Sequence, residues 1–353
     1  MRILAFEFAC GGMGGEEIDF PNSVLVEGFS MLKLIVDNLK NSGHEVITTL
    51  DSRVRVKPKI NADSVIEIEP AAGDILLEKL AMIVDSGRID YVFPIAPDPE
   101  LVEIVKFFRL RGVDVIASDS GALETAADKW KTHNCLKGKV KMPKTELLGK
   151  GNFEFPVILK PKDGVACEGL FKIDDYDAFP NLKNNEDYLI QEFIDGIHAS
   201  VIVCSNGENA ISLSLNKQNI EFGGESHYRG GIVPFEHPLK ENAFEAAKKA
   251  VESIRGLKGC VGVDLVLAEE DVFVIEINPR ITTSMIALHI ASGFNVAEAS
   301  LNSLSCRMPD PPNFNKTIEF RHVVDAKENL WAGPIRYGNL TGSDSIGLEI
   351  KEI

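Results

Sequence analysis

Apolar residues in the first third of the chain fall into two spacings. Arg2–Ala9, His44–Leu50, Tyr91–Ile95 and Val113–Ala117 are short apolar runs that predict buried strands, and Ser64–Glu69 alternates apolar and polar positions. Between them, Ser23–Asn41 carries Val26, Phe29, Leu32, Leu34, Ile35 and Leu39 at helical spacing, with Gly43 as a stop. Asp74–Ser86 and Glu100–Arg111 are further amphipathic helices. Strands separated by helices predict a parallel sheet with right-handed crossovers, an α/β unit over residues 1–118.

Beyond residue 118 the pattern changes. Ala122–Leu136 has helical spacing throughout, and Phe155–Lys160, Gly169–Ile173 and Tyr188–Phe193 are strand-like. The polar stretch Asp174–Asn185 predicts a helix plus a turn. Residues 119–190 therefore read as a small antiparallel subdomain in which Lys162–Glu168, with Gly164, is a lid loop. Residues 191–353 read as a larger subdomain. Its strands are His198–Cys204, Asn209–Asn216, Gly259–Ala268 and Val272–Asn278, with a hairpin turn at AEED. Its helices are Glu241–Gly256, Ser284–Ser292 and Asn295–Leu304, and a strand-rich tail follows Pro309.

Composition narrows the function classes. The 353 residues are 44% apolar and 25% charged, an ordinary globular balance with room for two or three subdomains. A net charge of -16 disfavours nucleic acid, yet a few local cations suffice to hold a nucleotide in a cleft. Cys10, Cys135, Cys167, Cys204, Cys260 and Cys306 form no CxxC or zinc spacing. No apolar run reaches the length of a membrane span, and the N-terminus lacks the basic region of a signal peptide. The expectation is a cytoplasmic protein with free thiols that acts on small molecules, not on nucleic acid or membrane.

The strongest chemical signal is VDLVLAEEDVFVIEINPR, residues 263–280. Glu276 and Asn278 are two apart on one strand, so they share a face, and the hairpin brings Asp264 alongside. Two carboxylates and a carboxamide make a hard oxygen cluster suited to magnesium, with Glu276 able to bridge two ions. Arg280 can clamp a phosphate through its planar fork. A solvated amphipathic hairpin is the plainer alternative, but the acid sits in the apolar run VFVIEIN, where an unpartnered carboxylate is costly.

In VILKPKDGVACEG, residues 157–169, a lysine at a strand end, Lys160, can reach phosphates while the loop amides cover them. Lys162 is either a second phosphate contact or a solvated turn lysine. Lys129, in DKWKT, takes its interest from this company. LIQEFIDGIHASV, residues 189–201, leads a strand into a connector whose Glu192 and Ile194 backbone groups, with the Gln191 or Glu192 side chain, can meet adenine; His198 can reach a ribose or be an edge histidine.

The order DK, LKPKDG, QEFIDG, VD…EINPR resembles the ATP-grasp superfamily of ligases over residues 118–290. The resemblance implies ATP held between two α+β subdomains behind an α/β N-terminal domain. It implies phosphate binding by Lys129 and Lys160, and adenine binding by the connector Gln191, Glu192, Phe193 and Ile194. It implies two magnesium or manganese ions on Asp264, Glu276 and Asn278. The loop DGVACEG is leaner in glycine than the family's usual version, and His198 stands where many members carry an acid. ILAFEFACGG, EGFSML and NKQNIEF…YRGGIVPFEHP resemble an archaeal branch that includes the tyramine–L-glutamate ligase of methanofuran biosynthesis. Members of the superfamily often form homodimers.

The implied reaction is ADP-forming: a carboxylate takes the γ-phosphoryl group as an acyl phosphate, which an amine then attacks. Arg229 is a candidate for gripping the substrate carboxylate, or a surface loop arginine. Thr282, Thr283 and Ser284 are candidates for an anionic substrate at a helix start, or ordinary caps. His227 and His237 are weak candidates for assisting the amine, and Cys167 fits lid packing. The alternatives are a ligase for another acid and amine, a bicarbonate-activating carboxylase subunit, a phosphotransferase, and a nucleotide-binding regulatory protein without turnover. No biotinyl segment of the AMKM type accompanies the second.

Overall fold

The computed structural model describes residues 1–13, 20, 22–54, 60–164, 167–180, 182, 185–223, 226–324, 332–335 and 346–353. Val165 and Ala166 of the lid loop and much of the tail lie outside the described residues.

The first unit contains β1 (Arg2–Glu7), α1 (Asn22–Asn41), β2 (Glu45–Asp51), β3 (Ser64–Ile68), α2 (Gly73–Gly87), β4 (Tyr91–Ile95), α3 (Asp98–Leu110) and β5 (Asp114–Val115). The five strands form a parallel sheet in the order β3-β2-β1-β4-β5. Leu4, Phe6 and Val92 on one face pack with α2 and α3, while Ile3, Ala5 and Phe93 on the other pack with α1. Burial on both faces explains the uninterrupted apolar runs. Strand order reverses direction between β1 and β4, so their C-terminal ends, Glu7 and Ile95, open onto a crevice where such sheets bind ligands.

The predicted helix over 122–136 is two helices, α4 (Ser120–Ala126) and α5 (Lys129–Leu136). Asp128 breaks it: its backbone is extended, and its carboxylate accepts from Trp130 N and Lys131 N at 2.9 Å each. Lys129 is thereby the first residue of a helix rather than a mid-helix lysine.

A four-stranded antiparallel sheet follows, in the order β6-β9-β7-β8. Its strands are β6 (Thr145–Leu147), β7 (Val157–Pro161), β8 (Phe171–Ile173) and β9 (Tyr188–Glu192). The polar stretch over 174–185 holds no α-helix among its described residues. Single 3-10 turns form at Tyr176–Ala178 and Asn185–Asp187, the first capped by Asp175. β6 was not anticipated.

The third unit begins with β10 (Ile197–Asn206), β11 (Ala210–Glu221), β12 (His227–Val233), α6 (Lys240–Glu252), β13 (Lys258–Leu267) and β14 (Val272–Asn278). After α7 (Ser284–Ser292) and α8 (Val296–Ser303) come β15 (Ile318–Val324), β16 (Ala332–Ile335) and β17 (Ile346–Glu352). Strand order is β14-β13-β10-β11-β12-β15-β17-β16. Alternate residues of β10 serve two cores. Val201 and Val203 pack with α4, α5 and α6, whereas Ile202 and Cys204 pack with α1, α7 and α8. Helix α1 is thus shared between the first and third sheets. All six cysteines are free thiols. Among the described residues no helix is long and apolar enough to cross a membrane.

Candidate functional site

The β13–β14 hairpin sets Asp264 directly opposite Glu276 and Gly262 opposite Asn278. The ladder shifts register just past Asp264. Asn278 Nδ2 donates to Asp264 Oδ2 at 3.0 Å, and Gln218 Nε2, from β11, donates to Asp264 Oδ1 at 2.9 Å. Burial, together with the adjacent Glu276 charge, raises the Asp264 carboxyl above its ordinary value against those two bonds. Burial also pushes Glu276 up, but Lys129, Lys160 and Arg280 pull it below its ordinary value. A cation beside the two acids favours the charged form of both.

Three cations surround them. Lys129 Nζ lies 3.8 Å from Glu276 Oε2 and donates to Gly164 O at 2.8 Å, which ties α5 to the lid loop. Lys160, on β7, is 2% exposed; burial pushes its ammonium down to about 8, with Glu276 pulling the other way. Arg280 Nε donates to Asp98 Oδ1 at 2.7 Å and its Nη1 to Ile281 O at 3.3 Å. No group of three His, Cys, Asp or Glu side chains gathers around a metal position among the described residues. The donor set here is instead two carboxylates and a carboxamide. It is all oxygen, which suits a hard cation whose remaining ligands are water and phosphate oxygens.

Lys160, Gln218, Asp264, Glu276, Asn278 and Arg280 line a cavity of about 170 Å³. Part of its wall is the segment 191–194 with His198 and Phe222; another part is Glu27, Tyr228 and Thr282–Ser284. The cavity thus joins an apolar, aromatic wall to a charged floor and a wall rich in hydroxyls.

Residues 126–284 match the ATP-grasp domain family. The chain carries an ATP-grasp domain. The tyramine–L-glutamate ligase of Methanocaldococcus jannaschii is 37% identical over 215 residues, 60% of this chain and 62% of that protein. The tyramine–L-glutamate ligase of Methanocaldococcus fervens is 38% identical over 212 residues, 60% of this chain and 65% of that one. The match therefore spans less than two thirds of either relative. The whole fold is shared with an ATP-grasp superfamily protein from Archaeoglobus fulgidus, at a TM-score of 0.71 and 26% identity over 100% of this chain and 99% of that one.

Within the ATP-grasp domain the connector differs in detail from the sequence reading. Glu192 N donates to Lys144 O at 2.9 Å, and Glu192 Oε2 accepts from Lys144 N at 3.2 Å, so that amide is engaged within the protein. Gln191 is buried and donates to Thr145 Oγ1 at 2.8 Å. The ring of Phe193 meets Phe222 edge-on at 5.7 Å, and His198 lies 5.1 Å from the same ring. Burial lowers the His198 imidazole, favouring its neutral form.

Lys129, Lys162 and Arg229 do not line the cavity. The Arg229 side chain is 58% exposed, bonded through Nε to Glu221 Oε2 at 2.7 Å, on a neighbouring surface depression. The Lys162 side chain faces a charged surface cleft with Asp128, Asp163 and Asp187, while its backbone carbonyl accepts from Lys129 N at 2.8 Å. Thr282–Ser284 do line the cavity, and Thr283 makes no side-chain cap bond. Burial pushes the Cys167 thiol up to about 12, which disfavours the thiolate. Neither His227 nor His237 lines the cavity.

Sequence reasoning missed Asp98, Glu27, Gln218 and Phe222. Asp98 alone carried a signal: it follows the end of a central parallel strand, where ligand sites gather.

Proposed function

We propose that this protein is an ATP-dependent, ADP-forming carboxylate–amine ligase whose substrates are L-glutamate and tyramine. One observation carries the reaction class: Asp264, Glu276 and Asn278 converge with Lys160 and Arg280 at one cavity floor, with Lys129 set against Glu276, beside an aromatic wall suited to a nucleobase. The substrate pair rests on the likeness to the two Methanocaldococcus proteins. Magnesium or manganese held by Asp264, Glu276 and Asn278 would supply charge neutralisation for the β- and γ-phosphates; the oxygen donor set suits one ion or two.

A carboxylate oxygen of the acid attacks the γ-phosphorus in line and ADP leaves. Lys129, Lys160 and Arg280 offset the charge on the transferring group. Lys129 grips the Gly164 carbonyl, so lid position and phosphate binding are coupled. The amine nitrogen then attacks the acyl carbon, losing a proton, and phosphate departs with one oxygen of the original carboxylate. Glu27 is the carboxylate suited to the incoming ammonium, and Thr282–Ser284 to the acid's carboxylate.

The test is ADP release with magnesium and ATP, comparing L-glutamate plus tyramine with each alone. Synergy, with the mass of γ-glutamyltyramine, supports the reading. ADP release with a different acid and amine keeps the class and discards the pair. Tight ATP binding with no release across a panel favours a regulatory nucleotide binder.

A further inference from the structure

Arg280 leaves β14 beside Asp264 and Glu276, and its charge acts on both. Its Nε nevertheless donates to Asp98, 182 residues away in sequence and on a different sheet's helix. Asp98 is the first residue of α3, three residues past the end of β4 at the mouth of the parallel sheet. A carboxylate in the first helical turn is favoured by the unpaired amides there. The side chains of Arg280 and Asp98 are only 16% and 10% exposed, so the pair is desolvated and its geometry is held tightly. With Nε on Asp98 and Nη1 on Ile281 O, guanidinium N–H groups remain for an anion in the cavity that Arg280 lines.

We infer that Asp98 is a positioning residue that holds the Arg280 guanidinium off the Asp264–Glu276 pair, leaving those carboxylates open to a cation and the arginine open to a phosphate. The chemical reason is competition. Without Asp98, the strongest acceptors within reach of Arg280 are the two acids, and an arginine settled on them occupies the oxygens a divalent ion needs. Through Asp98 the N-terminal unit thereby acts on the ATP-grasp site from outside the cavity wall. The inference rests on the proposed reaction for its consequence in turnover, but not for its effect on cation binding.

The test compares Asp98→Asn, Asp98→Glu, Arg280→Ala and the Asp98→Asn/Arg280→Ala pair. Mn2+ binding is titrated by electron paramagnetic resonance with ADP present, alongside kcat, KM for ATP and thermal midpoint. Asp98→Asn should weaken Mn2+ binding by about tenfold or more, the size of effect seen when a supporting partner of a metal site is removed. It should lower kcat more than it raises KM. Asp98→Glu, which keeps the charge, should recover most of the Mn2+ affinity even if Asp98→Asn folds poorly. In the Arg280→Ala background Asp98→Asn should do nothing further to Mn2+ binding. Unchanged Mn2+ binding in Asp98→Asn, or additive losses in the double variant, overturns the inference. A wild type that binds Mn2+ with this dependence yet releases no ADP sinks the ligase reading and leaves the inference standing.

Discussion

Replacing Gly28 by alanine sets a local preference against a tertiary contact. Gly28 lies inside α1, where helix propensity alone favours alanine by about 1 kcal/mol. The new Cβ would stand 2.4 Å from Glu7 Cδ and 2.5 and 2.7 Å from its two oxygens. Glu7 cannot retreat to solvent. It ends β1, is 4% exposed, and its Oε2 accepts from Cys10 N at 2.8 Å. Displacing it over-packs a full core, at about 1–3 kcal/mol. It also breaks a bond from a buried amide to a charged acceptor, at about 1.5–3 kcal/mol. After the helix gain, the net loss is about 1.5–5 kcal/mol, a fall of roughly 2–7 °C in Tm for a chain of this length. Differential scanning calorimetry with urea denaturation measures it. The next residue back is Glu27, on the cavity wall, so the same displacement should raise KM for the amine more than KM for ATP. A Tm equal to or above wild type would refute this account of why α1 carries a glycine there.

Two further outcomes follow from neighbouring groups. Glu27→Gln should raise KM for the amine by about tenfold or more, as expected for loss of a charge-assisted bond. It should leave unchanged the trapping of the acyl phosphate by hydroxylamine, which is largely uncharged at neutral pH; a parallel loss of hydroxamate contradicts the assignment. Burial holds the Glu7 carboxyl above its ordinary value, against the pull of the Cys10 amide. The protonated form is therefore more favoured in the folded state than in the unfolded chain. It adds stability below the unfolded value of about 4.3, and that stability is lost as pH rises through the folded value. Glu7→Gln should match wild type at low pH and become progressively the more stable of the two across that window, with the gap flat above it. Urea midpoints from pH 4 to 8 measure this, and a gap that narrows with rising pH reverses the sign.

The acidic hairpin was legible in sequence because period two fixes faces. Once Val272–Asn278 is a strand, Glu276 and Asn278 must share a side, and the AEED turn sets Asp264 opposite. The parallel sheet was legible because crossover helices separate its apolar runs. What stayed hidden depends on contacts between distant residues. Asp98 meets Arg280 across 182 positions, and no periodicity announces such a pair. The break before Lys129 is made by the Asp128 side chain rather than by a glycine or proline, so Ala122–Leu136 carries an unbroken helical pattern. β6 is three residues long, too short to show alternation. Arg229 illustrates the converse: a glycine-flanked arginine resembles an anion grip in sequence, yet its strand directs it outward to Glu221.

The central claim is that phosphoryl transfer to a carboxylate precedes amide formation, and the fate of one oxygen tests it most directly. L-glutamate labelled with 18O in its side-chain carboxylate is incubated with ATP, magnesium and tyramine, and the inorganic phosphate is analysed by mass spectrometry. The account predicts one labelled oxygen in each phosphate formed alongside ADP. Unlabelled phosphate, or AMP and pyrophosphate in place of ADP, would contradict it.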